Sequence, residues 1–349
     1  MKIANKLFWS LMTIGILVAV FEVGYLYFKR DKIFGQKTTS ENPPTTTSTT
    51  PKYPARLDGV PVETIELANS ELLGLMVDNH PNARPQSGLS QARVVYEVPV
   101  EGGITRYFAL FNVGDSVAKV GPVRSARPYF LDWISEYGNT SFWHSGGSAE
   151  ALDLIKQYKT WDVNEFYFGP YFWRSSDREA PHNLYTSSEK WQKLISGTPH
   201  ENMQWRGWKF DEKIGTEFKT TDVLQLQIKY ENNYLVGWNY DAQSNKYLRN
   251  QNSSPYADEA GATVLADTVI VQVVEVDVVD EEGRKKVNTI SRGDARILRD
   301  GKMIRGYWQK DSRTNRTRYY DMNDREITLR PGKIWIQIIP TNTALEVSA

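Results

Sequence analysis

Residues 71–77 read ELLGLMV, residues 93–98 read RVVYEV and residues 106–113 read RYFALFNV. These three runs decide the fold. Each is short, apolar and rich in β-branched or aromatic residues, which predicts buried or half-buried strands rather than helices. Helical patterns follow. One covers residues 126–137 with Ser125 as its N-cap, and another covers residues 149–158. A third begins at Thr186, whose spacing to Glu189 is that of a capping box ahead of Trp191 and Leu194. Strands mixed with helices predict a mixed α/β domain over residues 57–215.

Beyond residue 215 the pattern changes. Residues 223–230, 234–240 and 268–279 alternate or run apolar, and RILRDGKMIRGYWQK (296–310) places Asp300-Gly301 between strand-like arms. That dipeptide is a tight-hairpin signal. RPGKIWIQIIP (330–340) reads as a turn and a final strand. The chain is therefore expected to be α+β: a mixed α/β domain, then a mostly β domain over residues 216–349. Within 349 residues, 11 Trp, 19 Tyr and 13 Phe supply apolar surface for real cores.

The amino terminus predicts an anchor. Residues 7–28 form an apolar run interrupted only by Glu22, long enough to span a bilayer as a helix. Trp9, Phe21, Tyr25 and Tyr27 lie toward its ends, where amphipathic rings favour the headgroups. No small-residue cleavage site argues for a signal peptide. Lys2 and Lys6 before the run and Lys29, Arg30 and Lys32 after it leave the orientation open on charge alone. The expected arrangement is a cytoplasmic stub at residues 1–6, a transmembrane helix, and a Thr/Ser/Pro-rich linker over residues 29–56. That linker has too few apolar residues to build a core, and its prolines favour an extended stalk. Lys+Arg 42 against Asp+Glu 42 argues against nucleic acid as a partner. The absence of cysteine excludes disulfides, thiolate metal sites, a cysteine nucleophile and a lipid-modified cysteine.

Polar residues gather in four segments of the first domain. DNHPNARPQSGLS (78–90) follows an apolar strand and carries Asp78, His80 and Arg84, either as a binding loop or as a stiff structural turn. EVPVEGGITR (97–106) offers Glu97 and Glu101 as an acid and base, and Arg106 as an anion ligand. Its glycines also suit a plain hairpin. GPVRSARPYF (121–130) sets Arg124, Ser125 and Arg127 at an expected helix start, a pattern suited to phosphate or carboxylate. The competing reading pairs those arginines with Glu97, Glu101 or Asp132. REAPHNLYTS (178–187) brings His182 and Asn183, and FWHSGG brings His144. Asp78, Glu97, Glu101 and His182 are the catalytic candidates. His80, Arg84, Arg106, Arg124, Ser125, Arg127, His144 and Asn183 are the ligand-binding candidates. No pair of histidines has HxH or HxxxH spacing, so no metal site is assigned. No P-loop, GxGxxG, HExxH or GxSxG motif points to a cofactor or a familiar hydrolase.

Taken together, DNHPNARPQSGLS, VYEVPVEGGITRYFALF, GPVRSARPYF, APHNLYTS and PGKIWIQIIP resemble the YerB-like bacterial proteins, a family of unknown function with lipoprotein members. The resemblance spans residues 57–341 and implies an envelope-attached, extracytoplasmic protein. It brings no reaction, cofactor or catalytic residue. With no lipid-bearing cysteine, residues 7–28 are left to hold the chain in the membrane. The expected function is an envelope module that binds an anionic or cell-wall glycan ligand, or a partner protein. The alternatives are an enzyme acting on phosphorylated or glycan cell-wall material, and a structural scaffold.

Overall fold

The computed structural model describes residues 52–201 and 203–349. The expected membrane helix at residues 7–28, the stub before it and the linker as far as residue 51 lie outside the described residues. Among the described residues no helix is long and apolar enough to cross a membrane. The described residues are mostly β with few helices, and the longest helix among them is the 10-residue Ala149–Tyr158.

An 11-stranded mixed sheet organises the molecule. Its path runs Thr220–Asp222, Lys302–Gln309, Arg292–Arg299, Thr268–Val274, Ile334–Pro340, Val94–Pro99, Thr105–Asn112, Leu72–Asp78, Ser141–His144 and Asp162–Asn164, with Arg318–Asp321 added beside Lys302–Gln309. Strands from before and after residue 215 therefore share one sheet. The seam is the parallel pair of Ile334–Pro340 and Val94–Pro99, in which Gln337 lies opposite Glu97. A six-stranded sheet built mainly from Gln225–Lys229, Leu235–Asp241, Lys246–Gln251 and Ala344–Ser348 packs on one face.

Both faces of the large sheet are covered, which explains why its strands read as continuous apolar runs. Leu73, Leu75 and Val77 enter a core shared with Leu226, Val236 and Trp238 of the smaller sheet and with Trp191 of the Ser188–Ser196 helix. Leu72 and Met76, one step out of phase, enter the opposite core with Phe130 and Trp133 of the Pro128–Ile134 helix. Gly74 is the contact point of that second core. A Cβ there would stand 2.4 Å from the Phe108 ring and 2.7 Å from Ile134 Cδ1. Gly74→Ala is expected to cost about 1–3 kcal/mol through overpacking, read as a lower midpoint in chemical denaturation at unchanged slope.

Three local expectations need correction. The helix expected from residue 126 begins at Pro128, and Arg127 rather than Ser125 is its extended N-cap. Proline suits the first helical position and pushes the preceding residue into extended backbone. Ala126 is instead bridged to Gly147. The third helix is capped by Ser187 rather than Thr186, because Thr186 exchanges backbone hydrogen bonds with Val120. The strand Ile334–Pro340 is followed by another, Ala344–Ser348, which pairs with Gln225–Lys229. The Asp300-Gly301 hairpin forms as expected: both residues have positive φ, 54° and 69°, between paired strands.

Candidate functional site

The strand Leu72–Asp78 is parallel to Ser141–His144, which is parallel to Asp162–Asn164. The carboxyl ends of these three strands open into loops on the same edge of the sheet, a common site location where parallel strands end. Asp78 is the last residue of its strand and is fully buried. Its Oδ1 accepts the His80 backbone N–H at 2.9 Å. Its Oδ2 lies 2.7 Å from His182 Nδ1 and 3.1 Å from Arg124 Nε. Arg106 stands directly across the strand pair from it. Burial pushes the Asp78 carboxyl up, but the His80 amide, Arg106, Arg124 and His182 outweigh it and hold it below its ordinary range.

The rings of His80 and His182 stack at 4.4 Å between centroids with 15° between planes. His182 uses Nδ1 on Asp78, leaving Nε2 without a hydrogen-bond partner among the described residues. In neutral His80, Nδ1 accepts the Asn82 amide at 3.2 Å, so the ring proton sits on Nε2. Arg178 ties the two histidine loops together, donating to Ala83 O at 2.7 Å and to Pro85 O at 2.6 Å. Arg124 is fixed through its backbone, whose N–H bonds Met76 O at 3.0 Å.

Arg106 and Arg127 complete the basic side of the cluster. Arg106 is buried and donates to Ser125 O at 2.8 Å, which is the part Ser125 plays. Its Nε has no partner among the described residues. Arg127 embraces Glu101, through Nε at 3.0 Å to Oε2 and through Nη2 to Oε1. Burial raises the Glu101 carboxyl, and the Arg127 hydrogen bonds with Arg106 more than reverse that. Three guanidiniums thus face two carboxylates, a surplus of one positive charge before either histidine is protonated. The Pro128–Ile134 helix has 7 residues, so the guanidiniums, rather than a helix dipole, carry the attraction for an anion.

Four predicted residues are placed elsewhere. Glu97 is fully buried, paired with Arg249 at 2.9 Å and hydrogen-bonded by Tyr234, Thr105, Trp335 and Gln337. With its oxygens saturated inside the core, it is a structural carboxylate. His144 is buried between Gly146 O and Asp162, each at 2.7 Å. Arg84 turns back to Asn79, with Nε 3.0 Å from its Oδ1, and lies over the Tyr234 ring at 4.7 Å. Asn183 braces its own loop through Arg174, Ser175 and Arg178. Among the described residues no three His, Asp or Glu side chains converge in a metal-binding arrangement.

Sequence reading missed Phe166 and Tyr167. They follow the Asp162–Asn164 strand on the same edge and are 70% and 79% exposed. Phe166 lies against Gly146, and Ser145 N–H bonds Arg124 O at 3.1 Å, so these aromatics adjoin the basic cluster. The signal was present in EFYFGPYFW (165–173), whose aromatic density exceeds what a surface turn needs.

The family model described as "Protein of unknown function (DUF3048) N-terminal domain" matches residues 57–203, and the corresponding C-terminal domain model matches residues 226–336. A Bacillus subtilis protein described as "Putative lipoprotein YerB" is 30% identical over 313 residues, covering 86% of this chain and 90% of the relative. The crystal structure of YerB protein from Bacillus subtilis matches with a TM-score of 0.73 at 28% identity, covering 84% of this chain and 100% of that one.

Proposed function

We propose, from the premise that this chain belongs to the DUF3048 family of proteins of unknown function, that it is an envelope module binding an anionic ligand at the strand-end cluster. The observation that carries this reading is the convergence of Arg106, Arg124 and Arg127 with two stacked histidines around Asp78 and Glu101. A phosphate or carboxylate oxygen approaching Arg124 meets a half-exposed guanidinium whose Nε is turned inward to Asp78. The stacked rings of His80 and His182 share Asp78 with that guanidinium. Phe166 and Tyr167 extend the edge with ring faces on which a sugar can stack. The "lipoprotein" in the relative's name supports an extracytoplasmic, membrane-attached body. In this reading the apolar run at residues 7–28 of the sequence supplies the anchor.

The test is equilibrium binding of the full chain in detergent to undecaprenyl-phosphate-linked and peptidoglycan fragments. Arg124→Ala should weaken the anionic ligand about tenfold, the loss of one charge-assisted contact. Equal affinity of wild type, Arg124→Ala and His182→Ala would remove this assignment.

One observation favours a second reading, an enzyme on phosphorylated or glycan cell-wall material. A buried carboxylate orienting an imidazole through Nδ1, with Nε2 left over, is the arrangement of a general base. Asp78 and His182 have it at 2.7 Å. Turnover of those fragments that disappears in His182→Ala while binding persists would select the enzyme. Binding without turnover selects the module.

A further inference from the structure

The same parallel strands have another end. A cavity of about 600 Å³ opens there, lined by the residues that lead into Ser141–His144 and Asp162–Asn164, by the Met203–Arg206 stretch and by the Asp311–Arg316 loop. The strand Ser141–His144 runs from its lining toward the edge that carries the histidine cluster. The cavity's size is that of a small-molecule site. Its charged lining comprises Lys159, Arg206, Arg313, Arg316 and Arg318 against Glu136 and Asp311.

Glu136 is already spent. It accepts from Arg316 Nη1 at 3.1 Å, from Thr317 N at 3.2 Å and from Thr317 Oγ1 at 2.6 Å, and it pairs with Lys310 at 2.9 Å. Lys310 also holds Arg313 O and Asn315 O at 2.9 and 2.7 Å, which pins the loop that forms the cavity wall. Arg316 is 6% exposed, and its guanidinium is stacked on Trp208 at 3.5 Å and Tyr137 at 4.1 Å. Both faces and Nη1 are therefore occupied. The remaining edge, Nε and Nη2, has no hydrogen-bond partner among the described residues. Both donors are closed to solvent in this structure, so Arg316 lends the wall its positive charge. The donors that line the cavity openly are those of Arg206 and Arg313, whose N–H forks match the two oxygens of a carboxylate or phosphate.

Aromatic rings supply the rest of the recognition. Trp161, resting on His200 at 4.3 Å between centroids, and Trp205, edge-on to Tyr137 at 5.3 Å, both line the cavity. Tyr158 lines it too, with Arg313 laid over its ring at 4.0 Å. Tryptophan rings beside a wall with more basic than acidic residues suit a ligand with a flat apolar face and an acidic group.

We infer that this cavity is a second binding site, for a sugar bearing a carboxylate or phosphate group, seated against Trp161 and Trp205 with its anion on Arg206 and Arg313, in the field of the buried Arg316. It is independent of the histidine cluster and stands or falls separately from it.

Isothermal titration of the full chain with glucuronic acid, glucose 6-phosphate, glucose and inorganic phosphate tests the inference, run on wild type and on Arg124→Ala. Arg316 is bound up with Glu136, so its removal risks the fold. Arg206→Glu, at an exposed position with no partner among the described residues, and Arg313→Gln serve instead. The expected result is that both acidic sugars bind, with glucose and inorganic phosphate each at least about tenfold weaker. Arg206→Glu and Arg313→Gln should each weaken the acidic sugars about tenfold at this site, and should do so equally in the Arg124→Ala background, where the strand-end cluster is impaired. Binding of inorganic phosphate as tight as glucose 6-phosphate would overturn the inference, since no ring would then be recognised. Equal affinity for glucose and glucuronic acid would overturn it, as would loss of binding in Arg124→Ala alone, or no heat with any probe.

Discussion

Arg249→Met is expected to destabilise the folded body by about 3–5 kcal/mol, read as a fall in the urea midpoint followed by tryptophan fluorescence. Arg249 and Glu97 are both completely buried, and the pair joins the two sheets: Glu97 belongs to Val94–Pro99 and Arg249 to Lys246–Gln251. Removing the guanidinium leaves a carboxylate in the interior with only neutral donors, from Tyr234, Thr105, Trp335 and Gln337. Those donors soften the loss without neutralising the charge. Glu97→Gln in the same background should return much of the stability, because the uncompensated charge is the main cost. If the double variant is no more stable than Arg249→Met, the carboxylate is not the source of the loss. Glu97→Gln alone, once folded, should leave anion binding at the strand-end cluster unaltered. A change there would return Glu97 to the functional residues.

That pair shows where sequence reading stopped. The strands were legible because a sheet buried on both faces writes itself as short apolar runs, and the observed limits of Leu72–Asp78, Val94–Pro99 and Thr105–Asn112 lie within a residue of those expected. Glu97 stood out because strands are poor in Glu, but its partner lies 152 residues away and no local pattern announces such a contact. His182 and Asp78, 104 residues apart, could be suspected as chemically useful and not as neighbours. Helix starts failed by one or two residues where backbone bridges from distant segments claimed Ala126 and Thr186. The cavity around Arg316 was invisible for the same reason: its walls come from the 136–140, 158–161, 203–206 and 309–320 stretches, none of which carries a motif.

Anion binding at the strand-end cluster should tighten as pH falls, by up to about a hundredfold between pH 8 and pH 5. Burial, and then the facing His182, hold His80 below its ordinary 6.5, with Arg124 and Arg84 adding to them and Asp78 alone opposing. In the unliganded protein near neutral pH His80 is therefore uncharged. Its lowered pKa means that stability is lost as pH falls through 6.5 toward the folded value, because the unfolded chain takes up the proton first. An anion placed against Arg124 and the stacked rings reverses the sign of that environment. A nearby opposite charge raises a histidine pKa by about 1–3 units, and each unit of difference between free and bound states is tenfold in affinity over the pH range it spans. The gain should consequently appear between the two pKa values and level off above and below them. Thermal shifts give the check: the ligand should raise the melting temperature more at pH 5.5 than at pH 7.5, and His80→Gln should flatten the difference. Retention of the full pH dependence in His80→Gln would rule out His80 as the group that takes up the proton. Absence of any pH dependence in the wild type would mean that the anion does not sit against the stacked pair, and the strand-end assignment would rest on Arg124 alone.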